Sequence, residues 1–387
     1  MSTTRTELTA VGGSRRTAPV PVLLMVRELD QGGVERDVAK IAVYLDRTRF
    51  VPHVATYNAH GMRYEELRSA GVPILHLPLR SLASREAIYS GFRLRRYIRE
   101  HGIKVVHSYD PIGIYGLVIA RMAGVRIVIG SQLSYRNLFD PRTQKLLRWA
   151  DRYSDAIFVN CEAIRRYMVE DEHVPADKVE LCYNGVITTE FFPAEEPRPA
   201  ELAPADLVIG TVCALRWEKG LPLLQEAFAK LNFPDRKLQL VIVGSGVELP
   251  RLQENAVRLG IGAASVFMPA QRSVARWMRA MDIFVLPSLS EAFSNSLLEA
   301  MACGCCVVGS RVGGTPELIG ENSRGLLFEP GNSQDLANRL TQLIEDESLR
   351  VEFGRRAAQH ARENLSIELA AKRTADIYDR LLDRLRS

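Results

Sequence analysis

The fold is decided by Asp282-Ile-Phe-Val-Leu-Pro287 and the run after it, SLSEAFSNSLLEAMACGCCVVGS, residues 288–310. A continuous apolar segment gives out into a polar loop. A short helix rich in Leu, Met and Ala follows, and a second apolar strand begins after Gly304. Glu291 falls on the loop that leaves the first strand, and Glu299, eight positions on, falls on the first turns of the helix. This is the carboxyl end of a strand in an α/β unit, where open sheets hold their ligands. Helix amides opening onto the same loop suit a negatively charged group.

Two acids beside an anion site fit a ligand that carries both phosphate and hydroxyls, such as a nucleotide-sugar. A local reading stays open beside it. Ser296-x-x-Glu299 has capping-box spacing, in which the Glu would only close the helix start. Glu291 would then be a solvated loop acid.

Working outward, short apolar runs alternate with helical patterns along most of the 387 residues. Strands are expected at Pro21–Leu29, His53–Asn58, Pro73–Leu79, Lys104–Tyr109, Arg126–Gln132, Ala156–Asn160 and Lys178–Tyr183. The second half repeats the theme at Leu207–Leu215, Leu238–Gly244, Ser265–Pro269, Asp282–Pro287, Cys306–Ser310 and Gly325–Glu329. Such alternation predicts parallel sheets covered by helices on both faces. The length suits two domains, and the Pro-rich stretch 191–206 reads as the linker between them. Expected boundaries are a disordered tail at 1–18, an N-terminal domain at 19–190, and a C-terminal domain at 207–364. An amphipathic helix at 365–387 is expected to pack back toward the N-terminal domain.

Apolar residues make up 47% and charged residues 25%, as in a soluble globular protein. A net charge of +4 gives no reason to expect nucleic acid. No apolar run approaches the roughly 20 residues of a membrane span. The first 18 residues lack the apolar core of a secretory signal. Cys303-Gly-Cys305-Cys306 has no second pair at metal-ligand spacing, so small buried thiols in a reducing compartment, the cytoplasm, are expected.

Three further loops sit at strand ends. Gly32-Gly33 after the first strand allows a sharp turn and close approach of a ligand to the backbone. Arg216 and Lys219, in Leu215-Arg-Trp-Glu-Lys-Gly220, place two cations where a diphosphate could lie. Gly244-Ser245-Gly246 is small enough to admit a ribose or a flat ring. Each loop alone is compatible with a purely structural turn. No G-x-G-x-x-G fingerprint and no P-loop occurs, which disfavours a nicotinamide dehydrogenase.

Together these residues resemble the retaining glycosyltransferases of family 4, whose GT-B fold sets two doubly wound Rossmann-like domains face to face across a cleft. The stretches that carry the resemblance are LRWEKG at 215–220, VIVGSG at 241–246 and LPSLSEAFSNSLLEAMACGCCVVGSRVGGTPELI at 286–319. QGGVERDVAKIA, VVHSYD at 105–110, ARMAGVRIV at 120–128 and YNGVITTEFF at 183–192 match more loosely.

The resemblance implies that Glu299 binds the ribose hydroxyls of a nucleotide-sugar donor. It implies that Glu291 and the amides of Ala292, Phe293, Ser294 and Asn295 hold the sugar and its phosphate. Arg216 and Lys219 would clamp the diphosphate, with Gly32-Gly33 closing on it and Gly244, Ser245 and Gly246 lining the nucleotide side. The expected reaction is sugar transfer with retained configuration to a hydroxyl of a glycan or lipid-linked acceptor. It would serve polysaccharide or cell-surface glycan synthesis, with no cofactor beyond the co-substrate. No Asp-x-Asp motif occurs, so no metal is implied. A GT-B sugar-phosphate synthase or epimerase, or a binding protein without turnover, are the rival readings.

This chain departs from the family pattern in two places. Cys213-Ala214 stands where the family often has Gly followed by its phosphate Arg, so Arg216 would have to serve from two residues further on. Gln132 stands about where the family often has a His near the sugar, and His107 ends the preceding strand. The basic amphipathic stretch from Arg80 to Lys104 could also lie on an anionic membrane, at the inner face of the plasma membrane.

Overall fold

The computed structural model describes residues 18–30, 32–79, 84–109 and 113–385. The expected tail, apart from Ala18, lies outside them, as do Arg80 and Asp110. Strands β1 (Val20–Glu28), β2 (Phe50–Asn58), β3 (Ile74–His76), β4 (Val105–Ser108), β5 (Ile127–Gln132), β6 (Ala156–Val159) and β7 (Val179–Leu181) form one sheet in the order β3-β2-β1-β4-β5-β6-β7. Strands β8 (Leu207–Val212), β9 (Leu238–Val243), β10 (Ser265–Met268), β11 (Ile283–Leu286), β12 (Cys306–Ser310) and β13 (Leu326–Phe328) form a second, in the order β10-β9-β8-β11-β12-β13.

Every strand pair is parallel. The middle of β1 (Val22 to Val26) and the whole of β11 are apolar and buried, because helices cover both faces of the sheets. Strand order reverses between β1 and β4 in one sheet and between β8 and β11 in the other. Loops leaving β1, β8 and β11 therefore open at a crevice rather than folding back over a neighbour. Those are the loops that carry Gly32-Gly33, Arg216 with Lys219, and Glu291. Two doubly wound domains with their switch points toward one cleft are the GT-B architecture.

The chain crosses between the domains twice, side by side. Val186 N–H donates to Leu365 O at 2.9 Å, and Ile367 N–H donates to Val186 O at 2.8 Å. Before this crossing, the helix Glu347–Asn364 packs on the second domain, where Gly354 lies against the Gly304 carbonyl so closely that a Cβ would come within 2.2 Å of it. After it, the helix Ile367–Asp383 starts at Ser366, whose Oγ accepts from Leu369 N. Its Ile367, Ala370, Ala371, Ala375, Tyr378 and Leu381 join the first domain's core beside Val22, Leu24 and Val38. The domains also share an apolar cluster that holds Ile164 and Met168 of the first and Phe293, Leu297 and Leu318 of the second, and across it the Tyr183 ring lies 5.6 Å from that of Phe293.

Candidate active site

The second-domain loops are locked together by glycines. Gly220 has φ 62°, and a Cβ there would meet Pro287 O at 2.1 Å. Only glycine lets the 215–220 loop lie this close to the end of β11. Gly246 sits equally close to Leu215 O, and Ser245 O accepts from Leu215 N–H at 3.0 Å. Gly244, Ser245 and Gly246 are thus packed beside the loop that carries Arg216 and Lys219. Within this cluster Lys219 Nζ lies 2.6 Å from Glu291 Oε2, and Ser288 Oγ donates to the same oxygen at 3.3 Å. The two cations part company. The Lys219 side chain is 16% exposed, whereas that of Arg216 is 61% exposed and pairs with Glu218.

The helix Asn295–Ala302 begins at Ser294, whose Oγ accepts from Leu297 N–H at 3.3 Å. The capping box read from Ser296 and Glu299 does not form, because the helix starts two residues earlier. Ala292, Phe293 and Ser294 are buried at its entry. Glu299 lies one turn in, buried, with its side chain facing the other domain. There Arg36 Nη1 comes within 2.8 Å of Oε1 and 3.1 Å of Oε2.

Burial pushes the Glu299 carboxyl up, with the charges of Arg36 and Lys40 pulling against it. On Arg36 burial acts downward, but attraction to Glu299 and Asp37 outweighs it, and its pKa is raised. The carboxylate lies deeper than the guanidinium, so it bears the greater desolvation.

Arg36 belongs to the helix Gly33–Tyr44, which follows the Gly32-Gly33 turn. A Cβ on Gly33 would stand 3.8 Å from Asn295 Nδ2, so the turn lies directly against the start of the Glu299 helix. Asp37 of the same helix accepts from Asn295 Nδ2 at 3.0 Å and from Asn184 Nδ2 at 2.9 Å, and pairs with Lys40 at 3.0 Å. Lys40 also donates to Gly185 O at 2.7 Å. Arg36, Asp37 and Asn184 were not singled out from sequence. The available signal was charge on the inward face of an otherwise apolar helix.

His107 and Gln132 are placed differently from the expectation. His107 is wholly buried, with Nδ1 2.6 Å from Tyr378 Oη and Nε2 2.8 Å from Ser131 Oγ. Burial holds its pKa down to about 3, so it is a neutral core side chain with both nitrogens engaged. Gln132 is buried, and its amide donates to Ser134 O at 2.5 Å while its Oε1 accepts from Arg136 Nε at 3.0 Å. Arg136 is also buried and ion-paired with Asp151 and Glu172. Neither expected sugar contact presents a free polar atom here.

The helix Thr315–Ile319 follows Gly314. Cys303, Cys305 and Cys306 are free and buried, and burial pushes the thiols of Cys303 and Cys306 up to about 12. Among the described residues no His, Cys, Asp and Glu group could hold a metal ion, and no helix is long and apolar enough to cross a membrane.

The family model "Glycosyltransferase Family 4" matches residues 31–190, and "Glycosyl transferases group 1" matches residues 194–360. The chain is 27% identical over 283 residues to the N-acetyl-alpha-D-glucosaminyl L-malate synthase of Bacillus anthracis, covering 70% of this chain and 73% of that protein. It is 32% identical over 291 residues to the D-inositol 3-phosphate glycosyltransferase of an Arthrobacter species, covering 69% and 68%. Among solved structures, HepE of Anabaena, determined in complex with UDP and glucose, superposes with a TM-score of 0.81 at 20% identity. That superposition spans 92% of this chain and 99% of HepE. With the two-sheet architecture and both halves matched, the chain belongs to the family 4, group 1 glycosyltransferases of GT-B fold.

Proposed function

We propose that the protein transfers a sugar from a nucleotide-sugar donor to a hydroxyl acceptor, retaining anomeric configuration and using no metal. The observation that carries this is the pair of cleft glutamates, Glu299 buried and Glu291 partly buried, each held by a cation from a different element. Lys219 pairs with Glu291 within the second domain, and Arg36 reaches Glu299 from the first. Carboxylates accept hydroxyl hydrogens from ribose and sugar, and cations neutralise the diphosphate as it leaves. Lys219 beside the amides of residues 292–295 supplies that second role where charge develops. Structures of a similar fold solved with UDP support a nucleotide donor.

The acceptor proposed first is a small hydroxyl-bearing anion, after the L-malate and D-inositol 3-phosphate in the names of two relatives. The glycan or lipid-linked acceptor expected from sequence is kept as a second reading for one reason. The helix Arg85–Glu100 buries Leu94 and Ile98 but leaves Ile88, Tyr89 and Phe92 58–67% exposed among its arginines. Such a face suits an anionic lipid surface.

The test is incubation with UDP-, GDP- and ADP-sugars against L-malate, inositol 3-phosphate and a lipid-linked glycan, with products identified by mass spectrometry and NMR. An α-linked product from an α-linked donor supports retention. Donor binding with no product from any acceptor favours a binding protein, and an epimerised or phosphorylated sugar favours the other rivals.

A further inference from the structure

The second domain supplies one enclosed cation to its diphosphate site, not two. Lys219 is enclosed, Arg216 stands mostly in solvent against Glu218, and the residues directly after β8 are Cys213 and Ala214. A diphosphate carries at least two negative charges, and it gains more as the glycosidic bond breaks. One ammonium leaves that charge undercompensated.

Among the described residues, Arg36 is the first-domain cation that pairs with a cleft glutamate. It sits at the fourth position of the helix Gly33–Tyr44, where a positive charge opposes the helix dipole. Helix stability therefore does not account for it. It rests on Glu299 through one nitrogen only, since Nη1 makes both contacts. Among the described residues, Nε and Nη2 have no hydrogen-bond partner, although a guanidinium meeting a carboxylate normally uses two nitrogens side by side. The side chain is 23% exposed against 4% for Glu299, so the carboxylate lies deeper and part of the Arg36 side chain stays accessible. Arg36 is also within one helical turn of Gly33, which lies against Asn295 on the helix that carries Glu299.

We propose that Arg36 is the second cation of the diphosphate site, supplied by the opposite domain in place of the arginine that position 214 lacks. This rests on the functional reading above. Ribose hydroxyls take the Glu299 oxygens when donor binds, and the guanidinium turns Nε and Nη2 to the diphosphate. The exchange leaves no buried charge without a partner, because Glu299 trades one charged donor for two hydroxyls and Arg36 trades a carboxylate for a phosphate. A ligand that offers the diol without the anion strands Arg36. Ribose and diphosphate recognition are thereby coupled across the cleft.

Calorimetric titration of the full-length protein tests this, with UDP, GDP and ADP set against uridine, guanosine and adenosine. Wild type, Arg36→Ala, Arg36→Lys and Glu299→Gln are compared after their folding is checked by melting temperature. Arg36→Ala is expected to weaken the preferred nucleoside diphosphate on the order of 10- to 100-fold, the range of a charged hydrogen bond. It should leave the matching nucleoside unchanged or tighter. Arg36→Lys should recover part of the diphosphate affinity, and it keeps the test decisive if the alanine variant does not fold. Glu299→Gln should weaken nucleoside and diphosphate alike.

Equal loss for nucleoside and diphosphate in Arg36→Ala would overturn the proposal by showing that Arg36 only shapes Glu299. Unchanged diphosphate affinity in Arg36→Ala would overturn it as well. A wild type that binds none of the three diphosphates removes the functional reading itself, which is a different failure from either of these.

Discussion

Glu317 of the second domain caps a helix of the first, its Oε2 accepting from Glu162 N–H and its Oε1 from Ala163 N–H, both at 2.9 Å. The helix Glu162–Glu170 has only Cys161 at its own N-cap, with Sγ 3.4 Å from Ile164 N. A carboxylate at a helix N-terminus satisfies orphan N–H groups and meets the positive end of the dipole. Tyr183 Oη adds a third bond to Glu317, at 3.2 Å.

Glu317→Ala is therefore expected to cost about 1–2 kcal/mol, as for a lost N-cap. It should also raise amide exchange at residues 162–164. Unchanged exchange there would show that the domains are not braced this way in solution.

Lys219 and Arg216 should separate in kinetics. Lys219→Ala is expected to lower kcat by roughly 100-fold or more, because a preorganised cation is lost where charge develops. Arg216→Ala should change kcat/KM by only about threefold or less, since its ion pair with Glu218 is exposed. A collapse of activity in Arg216→Ala would place that guanidinium on the diphosphate after all.

Glu299 is expected to show in binding and stability at once. Glu299→Gln should lose roughly 1.5–3 kcal/mol of donor affinity with the charged hydrogen bonds to ribose. Glu299→Ala should in addition lower stability, because it leaves the partly buried Arg36 without its counter-charge. Calorimetry and thermal melts on the same two proteins check both. Lower stability with unchanged donor affinity would reduce Glu299 to a structural ion pair.

Acidification should weaken the fold through histidine. His107 is held down to about 3 by burial, and His53 to about 4 by burial and by neighbouring His101 and Arg47. Both lie below the ordinary 6.5. From pH 6.5 downward the unfolded chain takes up these protons while the folded chain does not, so stability falls as pH drops through that window. Melting temperature should decline between pH 6.5 and 4, and the decline should be shallower in His107→Gln. An identical slope in wild type and variant would contradict this origin.

Transfer activity is expected to survive EDTA, because the charge neutralisation assigned here comes from Lys219, Arg36 and helix amides. An absolute requirement for Mn²⁺ in initial-rate assays would show otherwise.

All thirteen strands are legible as short apolar runs alternating with helical patterns, a property of local composition. Glu291 and Glu299 are legible for a related reason, since strand-loop-helix order alone puts them at a strand's carboxyl end. The glycines at 220, 244 and 246 mark turns that a Cβ would block. What the sequence could not disclose is which charges meet. Arg36 and Glu299 are 263 positions apart, and Glu317 and Glu162 are 155 apart.

Capping-box spacing left a helix-start role open for Glu299, because a pattern of residues reports only neighbours within a turn or two, and the family resemblance alone put Gln132 near a sugar. Closure of the two domains brought Arg36 onto Glu299 and Glu317 onto the helix Glu162–Glu170, and packing against the helix Ile367–Asp383 enclosed His107. A buried charge must find a partner wherever the fold places one, and that place is set by how the two domains meet.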